Sequence, residues 1–216
     1  MTRADGSALP RLHAITDDRI ARRPDLDDVA RALAAGGAER LALHARGRAL
    51  SGLEHHGLAV RLSACRPARL FVNDRLDVAL AVGAAGVQLG AGSLDPQHAR
   101  RLEPRWWIGK SVHDLEEAAA ARASGADYLL VGPLYHTATH PEREPLGLTR
   151  LAPIIGLGLP VIAIGGVTPP RVGELRRAGA YGVAAIRALW DAADPADAAR
   201  QMLEEGQAGT IRSTSW

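Results

Sequence analysis

Short apolar runs alternate with longer amphipathic segments along almost the whole chain. Each run has three or four residues, as expected for a strand that is buried on both faces, and a helical pattern or a loop leading to one follows it. This repeating unit predicts parallel strands joined by crossover helices. The eight predicted strands are Leu12–Ile15, Leu41–Leu43, Leu70–Val72, Val87–Leu89, Trp106–Ile108, Tyr128–Val131, Val161–Ile164 and Val183–Ile186.

Several helical segments carry recognisable start and stop signals. Asp114, followed three residues later by Glu117, resembles a capping box, and Gly125 supplies the stop of the same helix. The predicted helices include Leu26–Ala35, Leu76–Ala84, Leu115–Ala123, Pro170–Ala178 and Ala196–Glu205.

Eight βα units in 216 residues favour one closed (β/α)8 barrel, the TIM-barrel architecture. An open, doubly wound α/β sheet is the structural alternative, because the same alternation of strands and helices fits it. We expect the barrel domain to span residues 10–206, and we expect the polar tail at 207–216 to be flexible.

Composition and charge exclude several functional classes. The formal net charge is +2, and the 26 basic and 24 acidic residues are interleaved, so we expect no nucleic-acid surface. Cys65 is the only cysteine, which excludes an internal disulfide, and no apolar run reaches the ~20 residues of a membrane span. The N-terminus also lacks the apolar region of a signal peptide. These features predict a soluble, cytoplasmic protein without membrane contacts.

The end of the seventh predicted strand carries the strongest local signal for a ligand. Gly165 and Gly166 allow backbone N–H groups to approach an anion closely, and Ile186 and Arg187 end the neighbouring eighth strand. In TIM barrels the loops after strands seven and eight commonly bind phosphate. We therefore predict that these four residues form a phosphate site.

Polar residues follow the fifth strand as well. Side chains alternate along a strand, so Ser111 and His113 share the inward face while Lys110, the only lysine, points towards the helices. A neutral imidazole at the barrel mouth suits proton transfer near pH 7. From position alone, however, a solvated loop histidine is the slightly better interpretation of His113.

Residues after the second and third strands are further candidates. Asn73 is placed to hydrogen-bond a heterocycle, and His44 and Arg46 either contact an anion or lie on the surface. Asp74 has no second carboxylate at an adjacent strand end, so we interpret it as a helix cap rather than a Mg²⁺ ligand.

The connection from Gly132 to Leu148 is long and rich in proline, which is typical of a binding loop. Thr137 in this loop is a candidate substrate contact. His136 and His140 lack a helical pattern and a third ligand, so we predict no metal site there.

With these residues in view, the chain resembles the thiamine phosphate synthase superfamily from Leu12 to Met202. The matching phrases are Ile15-Thr16-Asp17, Phe71-Val72-Asn73-Asp74-Arg75, Gly86-Val87-Gln88-Leu89-Gly90, Ala126-Asp127-Tyr128, Gly132-Pro133, Pro145-Leu146-Gly147 and Ala163-Ile164-Gly165-Gly166.

Departures from the synthase pattern point to another branch of the superfamily. The synthase has Gln-x-Arg-x-Lys after the second strand, where this chain has Ala42, His44 and Arg46, and it has a metal-binding aspartate at the position of Ser93. Its Thr-Ser-Thr-Lys loop reads Thr137-Ala138-Thr139-His140 here. The chain looks like the thiazole tautomerase branch in Leu12-His13-Ala14-Ile15-Thr16-Asp17-Asp18, in Gly92-Ser93, and in Ser111-Val112-His113 with Leu115-Glu116-Glu117.

The resemblance to that branch implies a cofactor-independent isomerase. It would aromatise a carboxythiazole phosphate tautomer in thiamine biosynthesis, with His113 as the catalytic base and without a metal. It also implies self-association into a homo-oligomer. Two alternatives stay open: a Mg²⁺-dependent thiamine phosphate synthase, and a non-catalytic barrel that binds thiazole phosphate or thiamine phosphate as a regulator.

Overall fold

A computed structural model of the protein describes residues 8–137 and 144–204. Its strands pair in parallel in sequence order, and the last strand pairs with the first, so the sheet closes into a barrel. The predicted (β/α)8 barrel is confirmed and the open sheet is wrong. The strands are β1 (Leu12–Ile15), β2 (Leu41–Ala45), β3 (Arg69–Asn73), β4 (Gly86–Leu89), β5 (Trp107–Val112), β6 (Tyr128–Val131), β7 (Val161–Ala163) and β8 (Gly182–Ala185).

Helices follow the strands and cover the outside of the barrel. The five predicted helices are present with ends shifted by a few residues within the described ranges; Glu205 and the expected tail at 207–216 lie outside them. The helices are α1 (Asp18–Ala21), α2 (Leu26–Gly37), α3 (Gly52–Ser63), α4 (Leu76–Ala81), α5 (Pro96–Leu102), α6 (Leu115–Ala123), α7 (Gly147–Ile155), α8 (Pro169–Arg177), α9 (Arg187–Trp190) and α10 (Pro195–Glu204).

Strand β5 differs most from its predicted bounds. It runs to Val112 instead of ending at Ile108, because residues from Gly109 to Val112 pair in register with β6. The apolar pattern does not predict this part of the strand, because Lys110 and Ser111 are polar. The longer strand delivers Ser111 to the mouth of the barrel.

Alternation along the strands divides the core into two layers. One layer packs the strands against the helices, and the other fills the barrel, where Phe71, Trp107 and Tyr128 are its largest members. Polar side chains share this interior: His13, His44 and Gln88 are all completely buried. The floor of the barrel mouth is therefore partly polar.

None of the helices within residues 8–137 and 144–204 combines the length and apolar character needed to cross a bilayer.

Candidate active site

A cavity of about 700 Å³ opens at the carboxyl ends of the strands. This is the catalytic face of TIM barrels, and the volume is in the range of small-molecule sites. The structure brings most of the predicted site residues together on its wall. Those that line it are Arg46, Asn73, Ser111, His113, Thr137, Gly165, Gly166, Ile186 and Arg187.

The loops after β7 and β8 form one part of the wall. Gly165 and Gly166 have φ values of 93° and 67°, a region that favours glycine. A Cβ at Gly165 would lie 2.6 Å from the Cα of Pro133, so there is no room for a side chain. Among the described residues, neither glycine N–H has a hydrogen-bond acceptor. With Arg187, which begins α9, they offer unsatisfied donors and a positive charge to an anion.

A second basic region follows β2. Arg46 and Arg48 both line the cavity, and neither forms an ion pair with a carboxylate among the described residues. The backbone N–H of Arg46 donates to Thr16 Oγ1 at 2.9 Å, which fixes the start of this loop. Burial, and then the charge of Arg48, lowers the pKa of the Arg46 guanidinium. An anionic ligand would relieve the unfavourable electrostatic environment of this group.

Asp74 lies at the rim between β3 and β4, and its predicted role as a helix cap is wrong. The N-cap of α4 is Arg75, and no side chain caps that helix. Asp74 has a φ of 62°, which turns its carboxylate towards the loop after β4. There Oδ1 accepts hydrogen bonds from Gly90 N, at 2.9 Å, and from the hydroxyl of Ser93. The carboxylate lines the cavity instead of the helix terminus.

His44 lies neither on the cavity wall nor on the protein surface, which corrects the prediction that it contacts an anionic ligand or lies on the surface. Its side chain points into the barrel because residues alternate along β2, and it is completely buried. Its Nε2 lies 2.8 Å from Nδ1 of His13, and its Nδ1 lies 3.0 Å from Oδ1 of Asn73. Asn73 itself does reach the cavity.

Residues at the end of β5 occupy the positions predicted by alternation. His113 lines the cavity, and its Nδ1 lies 3.0 Å from Glu117 Oε2, which also accepts from the His113 backbone N–H. Ser111 Oγ accepts a hydrogen bond from Gln88 Nε2 at 2.9 Å. Lys110 is absent from the cavity wall, and its Nζ donates to the carbonyl oxygen of Gly90 at 2.7 Å.

In the long loop after β6, Thr137 lines the cavity, whereas Thr139 and His140 lie outside the described residues. The described ranges contain no cluster of three or more metal-ligating His, Cys, Asp or Glu side chains.

Sequence reasoning missed Arg48, Asp191 and His13. Arg48 stands two residues after Arg46, and this spacing was a usable signal. Asp191 lines the cavity but pairs with Arg19 and Arg23 at 2.7 and 3.0 Å, a long-range contact with no local signal. His13 occupies an inward position of β1, where strand alternation would have placed it beside His44.

Comparison with known proteins identifies the family of the chain. The model of a family described as thiamine monophosphate synthase matches residues 12–189, which include the whole barrel from β1 to β8. The chain belongs to this family. The predicted superfamily is thereby confirmed, and so is the prediction that the protein is an enzyme.

Individual relatives agree with the family. A thiamine-phosphate synthase of Salinispora tropica is 44% identical over 92% of this chain and 98% of its own length. A thiamine-phosphate synthase of Methanoculleus marisnigri is 41% identical over 88% of this chain and 92% of its own length. The solved thiamine phosphate pyrophosphorylase of Pyrococcus furiosus superposes with a TM-score of 0.80 at 31% identity and covers 93% of this chain and 96% of that one.

These relatives overturn the assignment to the tautomerase branch. They are named as synthases, so the prediction of a cofactor-independent isomerase is wrong. That prediction rests on departures from the synthase pattern, which include the position of a metal-binding aspartate, Ser93 in this chain. In the structure, Arg46 retains a cation at the position of the pattern's lysine, and Arg48 and Arg187 also supply positive charge to the cavity.

Proposed function

We propose that the protein is a thiamine phosphate synthase, which joins a pyrimidine methyl diphosphate to a thiazole phosphate. In this reaction the bond from the pyrimidine methylene carbon to the diphosphate oxygen breaks. A bond from the same carbon to the thiazole nitrogen forms, and diphosphate leaves with the electron pair of the broken bond. No oxidation or reduction takes place. The names of the relatives and the charges of the cavity support this proposal.

The observation that carries the proposal is the presence of two separate groups of cations and N–H donors in one cavity. Arg46 and Arg48 follow β2, whereas Gly165, Gly166 and Arg187 follow β7 and β8, and β1 lies between β8 and β2. A synthase must hold a diphosphate and a monophosphate at once. Two regions of unpaired donors meet that requirement.

Mg²⁺ fits the side of the cavity near Asp74. Magnesium sites in proteins use one or two carboxylates and complete their coordination with water and substrate phosphates. Asp74 supplies one carboxylate, of which Oδ2 makes no hydrogen bond to another described residue, and the Ser93 hydroxyl adjoins it. Asp74 and Ser93 would hold the ion together with the diphosphate. When bound, Mg²⁺ would offset the charge that develops on the leaving diphosphate.

The protein groups then have distinct tasks. The guanidinium groups of Arg46 and Arg48 bind the diphosphate and stabilise its charge as it leaves. The N–H groups of Gly165 and Gly166 anchor the thiazole phosphate, so that the thiazole ring lies in the cavity. Asn73 and Ser111 orient a ring by hydrogen bonds. Holding both reactants in one cavity contributes to the rate by fixing their relative orientation.

Product formation from the two substrates tests the proposal directly. The purified protein is incubated with the pyrimidine methyl diphosphate, the thiazole phosphate and Mg²⁺, and thiamine phosphate and released diphosphate are measured together. We expect equimolar products in the presence of Mg²⁺ and loss of activity when EDTA is added. Binding of the thiazole phosphate without turnover in any metal condition would contradict the proposal and favour a regulatory protein.

Asp74→Asn should lower kcat while having little effect on the stability of the folded protein. The substitution removes a charge that would hold Mg²⁺, so we expect a fall in kcat of about 100-fold or more, as one charged contact contributes ~1.5–3 kcal/mol and the metal's own contribution adds to it. Asp77→Asn is the matched control, since Asp77 lies on α4 outside the cavity wall. Equal Mg²⁺ dependence in wild type and Asp74→Asn would contradict the assignment.

A further inference from the structure

A line of buried polar side chains runs from the barrel interior to the cavity. His13 Nε2 lies 3.1 Å from the carbonyl oxygen of Pro10, and His13 Nδ1 lies 2.8 Å from His44 Nε2. His44 Nδ1 lies 3.0 Å from the atom assigned as Oδ1 of Asn73, a residue that lines the cavity. Both histidines are completely buried, and His44 stacks on Phe71 with a centroid separation of 5.2 Å. The carbonyl oxygen of Pro10, at the inner end of this line, determines which atoms along it donate and which accept.

The Pro10 carbonyl fixes the tautomer of each ring in turn. A backbone carbonyl can only accept, so His13 Nε2 carries a proton. Burial keeps His13 neutral by lowering its pKa far below the usual range, which leaves Nδ1 as an acceptor. Nε2 of His44 must therefore donate to it. Burial also lowers the pKa of His44, to about 4, so the neutral ring presents Nδ1 to Asn73 as a second acceptor.

A protonated His44 would also satisfy its neighbours, but it is disfavoured by its surroundings. The ring contacts His13, Phe71 and Asn73, none of which carries a negative charge, and the nearby Arg46 opposes a second cation. A buried charge without a counter-ion is costly. The neutral ring thus determines which end of the Asn73 amide faces it.

An acceptor at His44 Nδ1 requires a donor on Asn73. The oxygen and nitrogen of a side-chain amide have nearly the same shape, so the hydrogen-bond network decides which occupies each position. Oδ1 is the amide atom assigned beside His44 Nδ1, and two acceptors cannot share a hydrogen bond, so the network requires the two amide ends to exchange and the NH2 group to face His44. After this exchange the carbonyl oxygen takes the place assigned to Nδ2, which has no hydrogen-bond partner among the described residues.

We propose that His13 and His44 are positioning residues that make Asn73 present its carbonyl oxygen, not its NH2 group, to the substrate. Asn73 then accepts a hydrogen bond from the ligand. Resting on the proposed function, the partner is the pyrimidine substrate, whose exocyclic amino group supplies N–H donors. The thiazole phosphate has an acceptor nitrogen in its ring and would be repelled by the same carbonyl. The histidine pair therefore selects which ring occupies the Asn73 side of the cavity.

Nitrogen NMR of the histidine rings tests the tautomers without any substrate. Protein labelled with ¹⁵N-histidine is measured near pH 7, and His13 and His44 are assigned by the signals missing from His13→Phe and His44→Gln. We expect both rings to be neutral, with the proton on Nε2 and a non-protonated Nδ1. A doubly protonated His44, or one protonated on Nδ1, would overturn the proposal even if the protein is an active synthase.

Kinetics of paired variants test the consequence for binding. His44→Phe keeps a ring beside Phe71 but removes the acceptor, so Asn73 loses its orientation. We expect the KM for the pyrimidine substrate to rise about tenfold, the equivalent of one hydrogen bond, with little change in the KM for the thiazole phosphate. His44→Gln should recover most of this loss, because one amide end donates to His13 and the other accepts from Asn73.

The KM values of the two variants for the two substrates distinguish a positioning role of His44 from general damage to the structure. Equal rises in KM for both substrates, or no recovery in His44→Gln although it melts like wild type, would overturn the proposal. If the protein lacked synthase activity altogether, the proposed function would fail while the tautomers measured by NMR would still test the orientation of Asn73.

Discussion

Replacing Arg46 with methionine is expected to lower kcat/KM for the pyrimidine diphosphate by about 100-fold or more while leaving the folded protein at least as stable. The guanidinium lines the cavity, has no carboxylate partner among the described residues, and has a pKa lowered by burial. It therefore costs desolvation in the free protein and gains its partner when diphosphate binds. Loss of two charge-assisted hydrogen bonds, each ~1.5–3 kcal/mol, gives the expected fall in rate.

The measurement combines steady-state kinetics with a thermal melt for each variant. Arg31→Met is the control for loss of an arginine, since Arg31 is exposed on α2 and pairs with Asp28 outside the cavity. Arg46→Lys should fall between wild type and Arg46→Met, because an ammonium group supplies the charge but not the planar pair of donors. A fall in melting temperature that accounts for the lost activity of Arg46→Met would refute a role in binding.

Gly109→Ala is expected to destabilise the fold by about 3 kcal/mol, the upper end of the usual cost of overpacking. A Cβ at this position of β5 would lie 2.2 Å from Tyr128 Cζ and 2.3 Å from Gln88 Oε1. Neither neighbour can retreat easily, because both are completely buried inside the barrel. Displacement of Gln88 would also weaken its hydrogen bond to Ser111, so activity should fall together with stability.

Gly57→Ala is the matched control for the same chemical change. Gly57 lies within α3, and a Cβ there would meet no other atom within 4 Å. An alanine in a helix interior is more favourable than glycine by ~0.5–1 kcal/mol, so this variant should be slightly more stable than wild type. Chemical denaturation of both variants measures the difference. Similar destabilisation by the two substitutions would contradict the packing described for the barrel interior.

The sequence predicted the fold because each βα unit carries its own local signal. Strands β1 and β6 begin and end at the predicted residues, since an apolar run gives way to polar residues or glycine at each of their ends. Gly165 and Gly166 could be identified as candidates from the sequence, because paired glycines after a barrel strand allow backbone N–H groups to approach an anion closely. Asp74 was misinterpreted because its positive φ and its contacts with Gly90 and Ser93 depend on the neighbouring strand, 16 and 19 residues away.

The chemistry was harder to predict than the fold. Ala42, His44 and Ser93 each depart from the synthase pattern, but the charge of the cavity is the sum over several loops, which supply Arg46, Arg48 and Arg187. The structure places Arg48 on the same cavity wall as Arg46 and shows His44 inside the barrel, where it contacts Asn73 and does not line the cavity. Which residues supply the charge of the cavity becomes clear only when the strand ends are assembled around it.

Closure of the barrel between β1 and β8 has a consequence for the synthesis of the protein. The first strand leaves the ribosome long before the last, and its partner at Gly182–Ala185 lies near the C-terminal end of the described chain. Ile186 and Arg187, which line the cavity and belong to the proposed phosphate site, follow that strand directly. A nascent or truncated chain ending before β8 would have neither a closed sheet nor a complete site, so capture of the phosphorylated substrate would distinguish finished barrels from unfinished ones.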